Sequence, residues 1–353
     1  MNDRRTDFDQ NERLSQRPHI PVLLDQVIQS LSPEDGDIII DGTFGAGGYT
    51  RAILESADCA VIAIDRDPDA IERGQAMKQE FGQRLQLVQG CFGDMQEIAS
   101  GLGHDSVNGI TLDLGVSSMQ LDEAERGFSF MRDGPLDMRM AQQGMTAADL
   151  VNELPETELA RIIAVYGEEK KARAIARAIA RHRTTAPITR TGELAALIEG
   201  VLGGQRFVKG ARRAHPATRS FQALRIYLND ELGELMRALE TCERLLAPDG
   251  RLAIVTFHSL EDRMVKKFFA LRTGRLGQPS RHQPIMAQPE NSFAEIRSRR
   301  QDPTDAEITA NPRARSARLR AVKRTDAPAI DTPQELLPRM MPVFANRSYG
   351  GEQ

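Results

Sequence analysis

The chain reads as an α/β protein: a parallel sheet covered by helices and interrupted by an all-helical insertion. Three observations predict this. Residues 22–113 alternate short apolar runs with amphipathic segments, residues 146–202 keep helical spacing with no strand pattern, and a buried-strand pattern resumes at Arg251. Continuous apolar runs mark strands buried on both faces, and their alternation with helices marks parallel crossover units.

Taken in order, the first strand is Asp-Ile-Ile-Ile-Asp at 37–41, the second Cys59–Asp65, the third Leu85–Val88 and the fourth Val107–Asp113. Segments 48–56, 68–80 and 94–101 are the helices between them. Residues 114–140 form a long connection containing Gly, Ser, Asp and Met. Helical spacing then runs through 149–154, 158–163, 170–183 and 191–202, followed by one long helix over 218–246 that stops at Ala247-Pro-Asp-Gly250. Arg251–Phe257 is the fifth strand, 260–271 a further helix, and Ser316–Lys323 an edge strand. The expected division is a tail over 1–17, a first core part over 18–121, a helical insert over 122–215, a second core part over 216–324 and a tail over 325–353.

Composition narrows the class of function. A chain of 353 residues, 40% apolar and 27% charged, is an ordinary globular protein of about two domains. No apolar run approaches the roughly 20 residues needed to span a bilayer, and Met1–Arg17 lacks a signal-peptide apolar stretch, so a cytosolic protein without membrane contact is expected. Three widely spaced cysteines, Cys59, Cys91 and Cys242, imply buried thiols rather than a disulfide frame or a metal site. The net charge of −4 hides an asymmetry: residues 1–160 carry −17 and residues 161–324 carry +15. Such a split is a hint of a polyanionic partner, although on composition alone charge-solvated exposed helices are the more ordinary reading.

Asp41-Gly-Thr-Phe-Gly-Ala-Gly-Gly48 joins the first strand to a helix, where glycines let a ligand approach the backbone and the helix N-terminus. Asp65 ends the second strand 18 residues after Gly47, close to the spacing of a carboxylate that binds ribose hydroxyls. An adenosine ligand follows. Asp41 would repel a pyrophosphate and attract a sulfonium or ammonium, which favours S-adenosylmethionine over a dinucleotide. Phe92, after the third strand, either packs on adenine or belongs to the core. Asp113 ends the fourth strand beside the expected switch point of the sheet, and His258 reaches the same edge, as a reacting or a structural group. Between Gly204 and Arg225 lie Arg206, Lys209, Arg212, Arg213, Arg219 and Arg225 with His215, Phe207 and Phe221 and no acid, a pattern suited to phosphate contact with base stacking.

Nine blocks then occur in order, among them His19-Ile-Pro-Val-Leu-Leu24, Asp41–Gly48, Leu112-Asp-Leu-Gly-Val-Ser-Ser118, Arg126–Arg139, His215–Gln222, Phe257-His-Ser-Leu-Glu-Asp-Arg263 and Asn311–Ser316. Over roughly residues 18–324 the chain resembles the ribosomal RNA small subunit methyltransferase H family, bacterial enzymes that methylate N4 of a cytidine in 16S rRNA. The resemblance implies a Rossmann-like class I methyltransferase sheet with an inserted helical domain for RNA recognition, and 16S rRNA within the small subunit as partner. It also implies that Gly47, Gly48 and Tyr49 contact the methionine part of S-adenosylmethionine, Asp65 the ribose, Phe92 the adenine, and Asp113 and Gln120 the remaining polar edge; no residue is assigned to a metal. Tyr49 stands where the family usually has His, and Met119 where it usually has Pro. The amino-methyltransferase sequence Asp/Asn-Pro-Pro-Tyr is absent, and Asp113 is the candidate catalytic residue, orienting the cytosine amine with Ser117 or Ser118 nearby.

Overall fold

The computed structural model describes residues 21–203, 215–275, 290–296 and 300–333; the expected tail at 1–17 and the basic residues Arg206, Lys209, Arg212 and Arg213 with Phe207 lie outside them. The elements before the long connection are α1 (Leu24–Leu31), β1 (Ile38–Asp41), α2 (Gly48–Ser56), β2 (Ala60–Asp65), α3 (Pro68–Phe81), β3 (Leu85–Gln89), α4 (Met95–Gly101) and β4 (Val107–Asp113). Each follows from local chemistry: α3, for instance, opens on Asp67, whose carboxylate accepts from the Asp69 N–H, with Pro68 in the first turn. After the connection and its short helix α5 (Ser118–Asp122) come α6 (Ala147–Glu153), α7 (Glu156–Gly167), α8 (Ala172–His182), α9 (Thr191–Leu202) and α10 (Thr218–Leu228). The chain closes with α11 (Glu231–Leu245), β5 (Leu246–Thr256), α12 (Ser259–Arg272), β6 (Phe293–Glu295), α13 (Asp305–Ala310) and β7 (Arg318–Arg324).

The seven strands lie in the order β3-β2-β1-β4-β5-β7-β6, the first five parallel and β7 and β6 antiparallel to their neighbours. Successive residues of each inner strand face opposite layers. Ile40, Ile62 and Ile254 pack with α4, α11 and α12, while Ile39, Val61 and Ala253 pack with α1, α2 and Leu319. That two-sided burial is why the strands read as continuous apolar runs. Helices α6 to α10 bury a separate cluster around Leu150, Ile162, Ile175, Ile198 and Phe221.

Four sequence expectations change. The single helix over 218–246 is two, broken at Asn229 and at Asp230, which adopts a left-handed φ of 50°. The buried Asn229 amide donates to the Met138 and Arg225 carbonyls and its oxygen accepts from the Met140 N–H, so the side chain ties the break to the long connection. As a result Phe221, Ala223 and Leu224 pack with the helical cluster, beyond the boundary expected at 215, whereas Leu232, Leu235 and Leu239 pack on the sheet. The Ala247–Gly250 stretch does not precede β5 but lies inside it, as a shift in register against β4 between Val107 and Gly109. β7 is not the edge, because β6 pairs along its outer side.

The fourth change concerns residues 325–333, expected to begin a tail. Arg272, fully buried, donates to the Ile330 carbonyl at 2.8 Å and to Thr332 Oγ1 at 3.0 Å, and its Nε pairs with buried Glu243. Glu243 also accepts from Ser292 and from the Ile330 N–H. Arg272→Ala leaves the Glu243 carboxylate buried without its cation, which should cost about 3–5 kcal/mol; denaturant unfolding should show a lowered midpoint at unchanged slope.

Candidate active site

A cavity of about 610 Å³ opens at the carboxyl ends of the parallel strands, where the chain leaves β1 toward β2 on one side and β4 toward β5 on the other. This is the crevice in which open α/β sheets bind ligands. Asp65, Phe92, Asp113 and His258 all line it, so four strand ends deliver their expected residues to one site.

The β1–α2 loop forms one wall. Gly42 is tightly packed: a Cβ there would lie 2.5 Å from Leu112 Cδ2 and 3.0 Å from Phe92 Cβ, so those side chains would have to shift. Gly48 and Tyr49 line the cavity, but Gly47 does not. It caps α2 with a φ of 77°, and its face is closed by Phe44 and Met77, so its role is to turn the chain. The Tyr49 ring is buried, its hydroxyl donating to the Val22 carbonyl, which leaves only its backbone for a ligand. Asp41 does not face the cavity. It is fully buried behind the loop, accepting from Thr50 Oγ1 at 2.7 Å and the Thr43 N–H at 3.2 Å, and burial raises its carboxyl to about 6. A cation in the crevice would therefore meet other carboxylates.

Asp65 is one of them. Its two oxygens accept from the Gly45 N–H at 2.7 Å and the Asp67 N–H at 2.8 Å, which fixes its plane, and burial raises its pKa. Gln120, by contrast, has both ends of its amide engaged: Oε1 accepts from the Ser117 N–H in a capping box and Nε2 donates to Asp67 Oδ2 at 2.8 Å. Asp67 also binds Arg126 at 2.7 Å, so Gln120 fastens the connection after β4 to the loop after β2. Phe92 lies half-buried on a short 3-10 turn, packed against the core and lining the cavity.

At the β4 and β5 ends the cavity is more charged. The Asp113 N–H donates to Thr43 Oγ1 at 2.6 Å, while its carboxylate Oδ1 is buried with no hydrogen-bond partner among the described residues. Burial, then the charges of Asp41 and Glu261, push its pKa well above the usual carboxylate range. His258 caps α12: its Nδ1 accepts from the Glu261 N–H, and Glu261 reaches back to the Phe257 and His258 N–H groups. Sequence reasoning counted Arg225 as a free cation, yet its guanidinium makes a bidentate pair with Glu231 at 2.7 and 2.8 Å. Phe221 is likewise buried, its ring edge on Phe130 at 4.8 Å. Glu231 was missed because an acidic residue opening a helix is the commonest of sights. Among the described residues, Glu231, His258 and Glu261 are the group spaced to hold a metal ion, but Arg225 already fills the carboxylate face of Glu231.

A doubly wound parallel sheet with an antiparallel strand beside β5, a glycine loop after β1 and an acidic crevice define a Rossmann-like methyltransferase. The sequence model described as the MraW methylase family matches residues 16–325, and the chain belongs to that family. Among similar curated proteins, one from Parvibaculum lavamentivorans is 58% identical, covering 91% of this chain and 93% of its own length. One from Rhodospirillum rubrum is 55% identical over 88% and 96%, and one from Methylobacterium sp. strain 4-46 is 56% identical over 90% and 94%. All three are named ribosomal RNA small subunit methyltransferase H. No helix among the described residues is long and apolar enough to cross a membrane.

Gly42→Ala tests the packing of the wall: the added methyl should cost about 1–3 kcal/mol of stability by overpacking Leu112 and Phe92, read as a lowered Tm.

Proposed function

We propose that the protein transfers a methyl group from S-adenosylmethionine to N4 of a cytidine in 16S rRNA, and that the unpartnered Asp113 carboxylate in the crevice carries this reading. Family membership supports the methyl transfer, and the names of the relatives support the small-subunit rRNA substrate. The lining suits a cationic cofactor: Asp65, Asp113, Glu231, Glu234 and Glu261 bring five carboxylates against the guanidiniums of Arg66, Arg225 and Arg313, of which Arg225 is held by Glu231 and Arg66 by Glu234. When bound, S-adenosylmethionine supplies a methyl group made electrophilic by its sulfonium.

Asp65 would hold the ribose hydroxyls, with its carboxylate already set in plane by two backbone donors. Gly48 and Tyr49 would meet the methionine end through their backbone, and Phe92 would pack on adenine. Gln120 acts at one remove, by fixing Asp67 and the turn after β4.

The cytosine amine is a weak nucleophile because its lone pair is delocalised into the ring, so orientation and charge placement have to lower the barrier. Asp113 Oδ1 accepts an N4–H hydrogen bond, points the lone pair along the attack line, and receives the proton that N4 sheds as the new carbon–nitrogen bond forms. A carboxyl whose pKa is raised by burial is a better proton acceptor than an ordinary aspartate.

Three outcomes follow. Mass spectrometry of rRNA digests should show one N4-methylcytidine lost on deletion of the gene, and an unchanged digest overturns the reading. Asp65→Ala should weaken S-adenosylhomocysteine binding about 10- to 100-fold in calorimetry, the effect of losing charged hydrogen bonds to a diol. The ionised form of Asp113 is the active one, so kcat/KM should fall with decreasing pH through a pKa above the ordinary carboxylate range. Asp113→Asn should erase that acid limb and lower kcat about 10²- to 10⁴-fold.

A further inference from the structure

Besides Arg66 Nε, two buried side-chain atoms on residues that line the crevice lack a hydrogen-bond partner among the described residues, and the methyl-transfer chemistry uses only one of them. Asp113 Oδ1 is the first. The second is His258 Nε2, on a side chain only 9% exposed. The protonation of the ring can be read from its other nitrogen. Nδ1 accepts from the Glu261 N–H, so in the neutral imidazole the hydrogen sits on Nε2, and that atom is a donor. Glu261 Oε1 lies 3.0 Å from Nε2 but off the N–H axis, which attracts the group without satisfying it. A buried donor left without an acceptor costs free energy unless a ligand supplies one.

The two atoms belong to neighbouring strand ends. Asp113 pairs with Val255 in the β4–β5 register, and the Leu114 N–H donates to the Val255 carbonyl, which sets His258 just beyond Asp113 on the same rim. Both side chains line the same cavity. The site thus offers one acceptor and one donor on the same rim of the cavity.

Cytosine presents the complementary order, an N4–H donor beside the N3 acceptor. Uracil presents the reverse: its O4 would face the Asp113 carboxylate and its N3–H would face the His258 N–H, two mismatches in a buried site. We propose that Asp113 Oδ1 and His258 Nε2 together read the amino–imine edge of the target base, with His258 the donor to N3 that separates cytosine from uracil. Adenine shows the same order, so the pair separates amino from keto bases. A hydrogen bond to N3 also fixes the ring in its own plane, which places N4 against Asp113.

The inference rests on the rRNA methylation reading, and its test keeps the two apart. Small subunits are reassembled with 16S rRNA carrying cytidine, uridine or 3-deazacytidine at the position found methylated in cells, and the full chain is assayed with labelled S-adenosylmethionine. 3-Deazacytidine keeps the amine but has C–H in place of N3, and its amine is no poorer a nucleophile. Expected is a fall of about 10- to 100-fold in kcat/KM with 3-deazacytidine, the loss of one hydrogen bond to a buried donor, and no transfer to uridine. His258→Phe should slow cytidine by a similar factor and show no further loss on 3-deazacytidine, so that the two changes are not additive. Because His258 also caps α12, the unmutated protein on the deaza substrate is the deciding arm: equal rates on cytidine and 3-deazacytidine overturn the role of His258. Failure to methylate any of the three overturns instead the rRNA reading on which it rests.

Discussion

Burying a carboxylate without a partner is costly, and this fold brings Asp41, Asp113 and Glu261 close enough that Asp41 and Glu261 both act on Asp113. Asp41 and Glu261 are each satisfied locally, by Thr50 and Thr43 in one case and by the Phe257 and His258 N–H groups in the other. Asp113 Oδ1 is not. The strain cannot be relieved by a rotation of the chain, because Asp113 is held by its N–H to Thr43 and by the β5 register. A cationic ligand and a hydrogen-bond donor at this point remove the penalty, and the rest of the site is arranged around that requirement. In the proposed methyl transfer this electrostatic strain would be turned to binding and to proton acceptance.

The helical cluster matters to the same site because the crevice has one wall on each side of the division. Phe128, Phe130 and Phe221 belong to the helices or lie against them, while Asp65 and Phe92 belong to the sheet. The joints between the two are specific. Asn229 satisfies backbone groups at 138 and 140, and Arg66 reaches the Asn229 carbonyl and Glu234 at 2.9 Å each. Glu168, at the end of α7, accepts from Ser259 and pairs with Arg263 on the helix that His258 caps. The position of His258 is thereby coupled to the packing of α7, an element that contributes nothing to the crevice itself.

What was legible in the sequence follows from how each feature is encoded. Parallel strands buried on both faces must be apolar throughout, so Asp37–Asp41, Cys59–Asp65 and Val107–Asp113 stood out, and with them the carboxylates at their ends. The place of Asp65 in the crevice was recoverable because the distance from a glycine loop to the end of the next strand is set by one crossover unit. The break at Asn229 was not, because helical periodicity runs through it and the side chain that breaks it looks like any polar helix residue. Nor did the glycine loop reveal which of its members face the ligand: Gly47 and Gly48 differ only in direction, and direction depends on Phe44, Met77 and Pro21 packing around them. Asp41 misled for the same reason, since a strand-end carboxylate points into the crevice or behind the loop according to a hydroxyl, that of Thr50, nine residues on. β6 is three residues long and carries no pattern at all.

The charge asymmetry needs the same distinction between residue type and placement. A count of +15 over residues 161–324 treats every arginine alike, yet Arg225, Arg272, Arg320 and Arg324 are wholly or largely buried, and they are spent on Glu231, Glu243, Asp262 and backbone carbonyls. These hold the fold together and present nothing to a polyanion. Other cations stay at the surface. On α8 the buried face is Ala172, Ile175, Ala176 and Ile179, which turns Arg173, Arg177 and Arg181, four residues apart, into an exposed stripe along the opposite side. A phosphate backbone interacts with charge that is spaced along a line and hydrated, not with charge already neutralised in the interior. The basic half of the chain therefore holds an internal set of arginines that builds the crevice and its frame and, among the described residues, an exposed set that includes the stripe on α8.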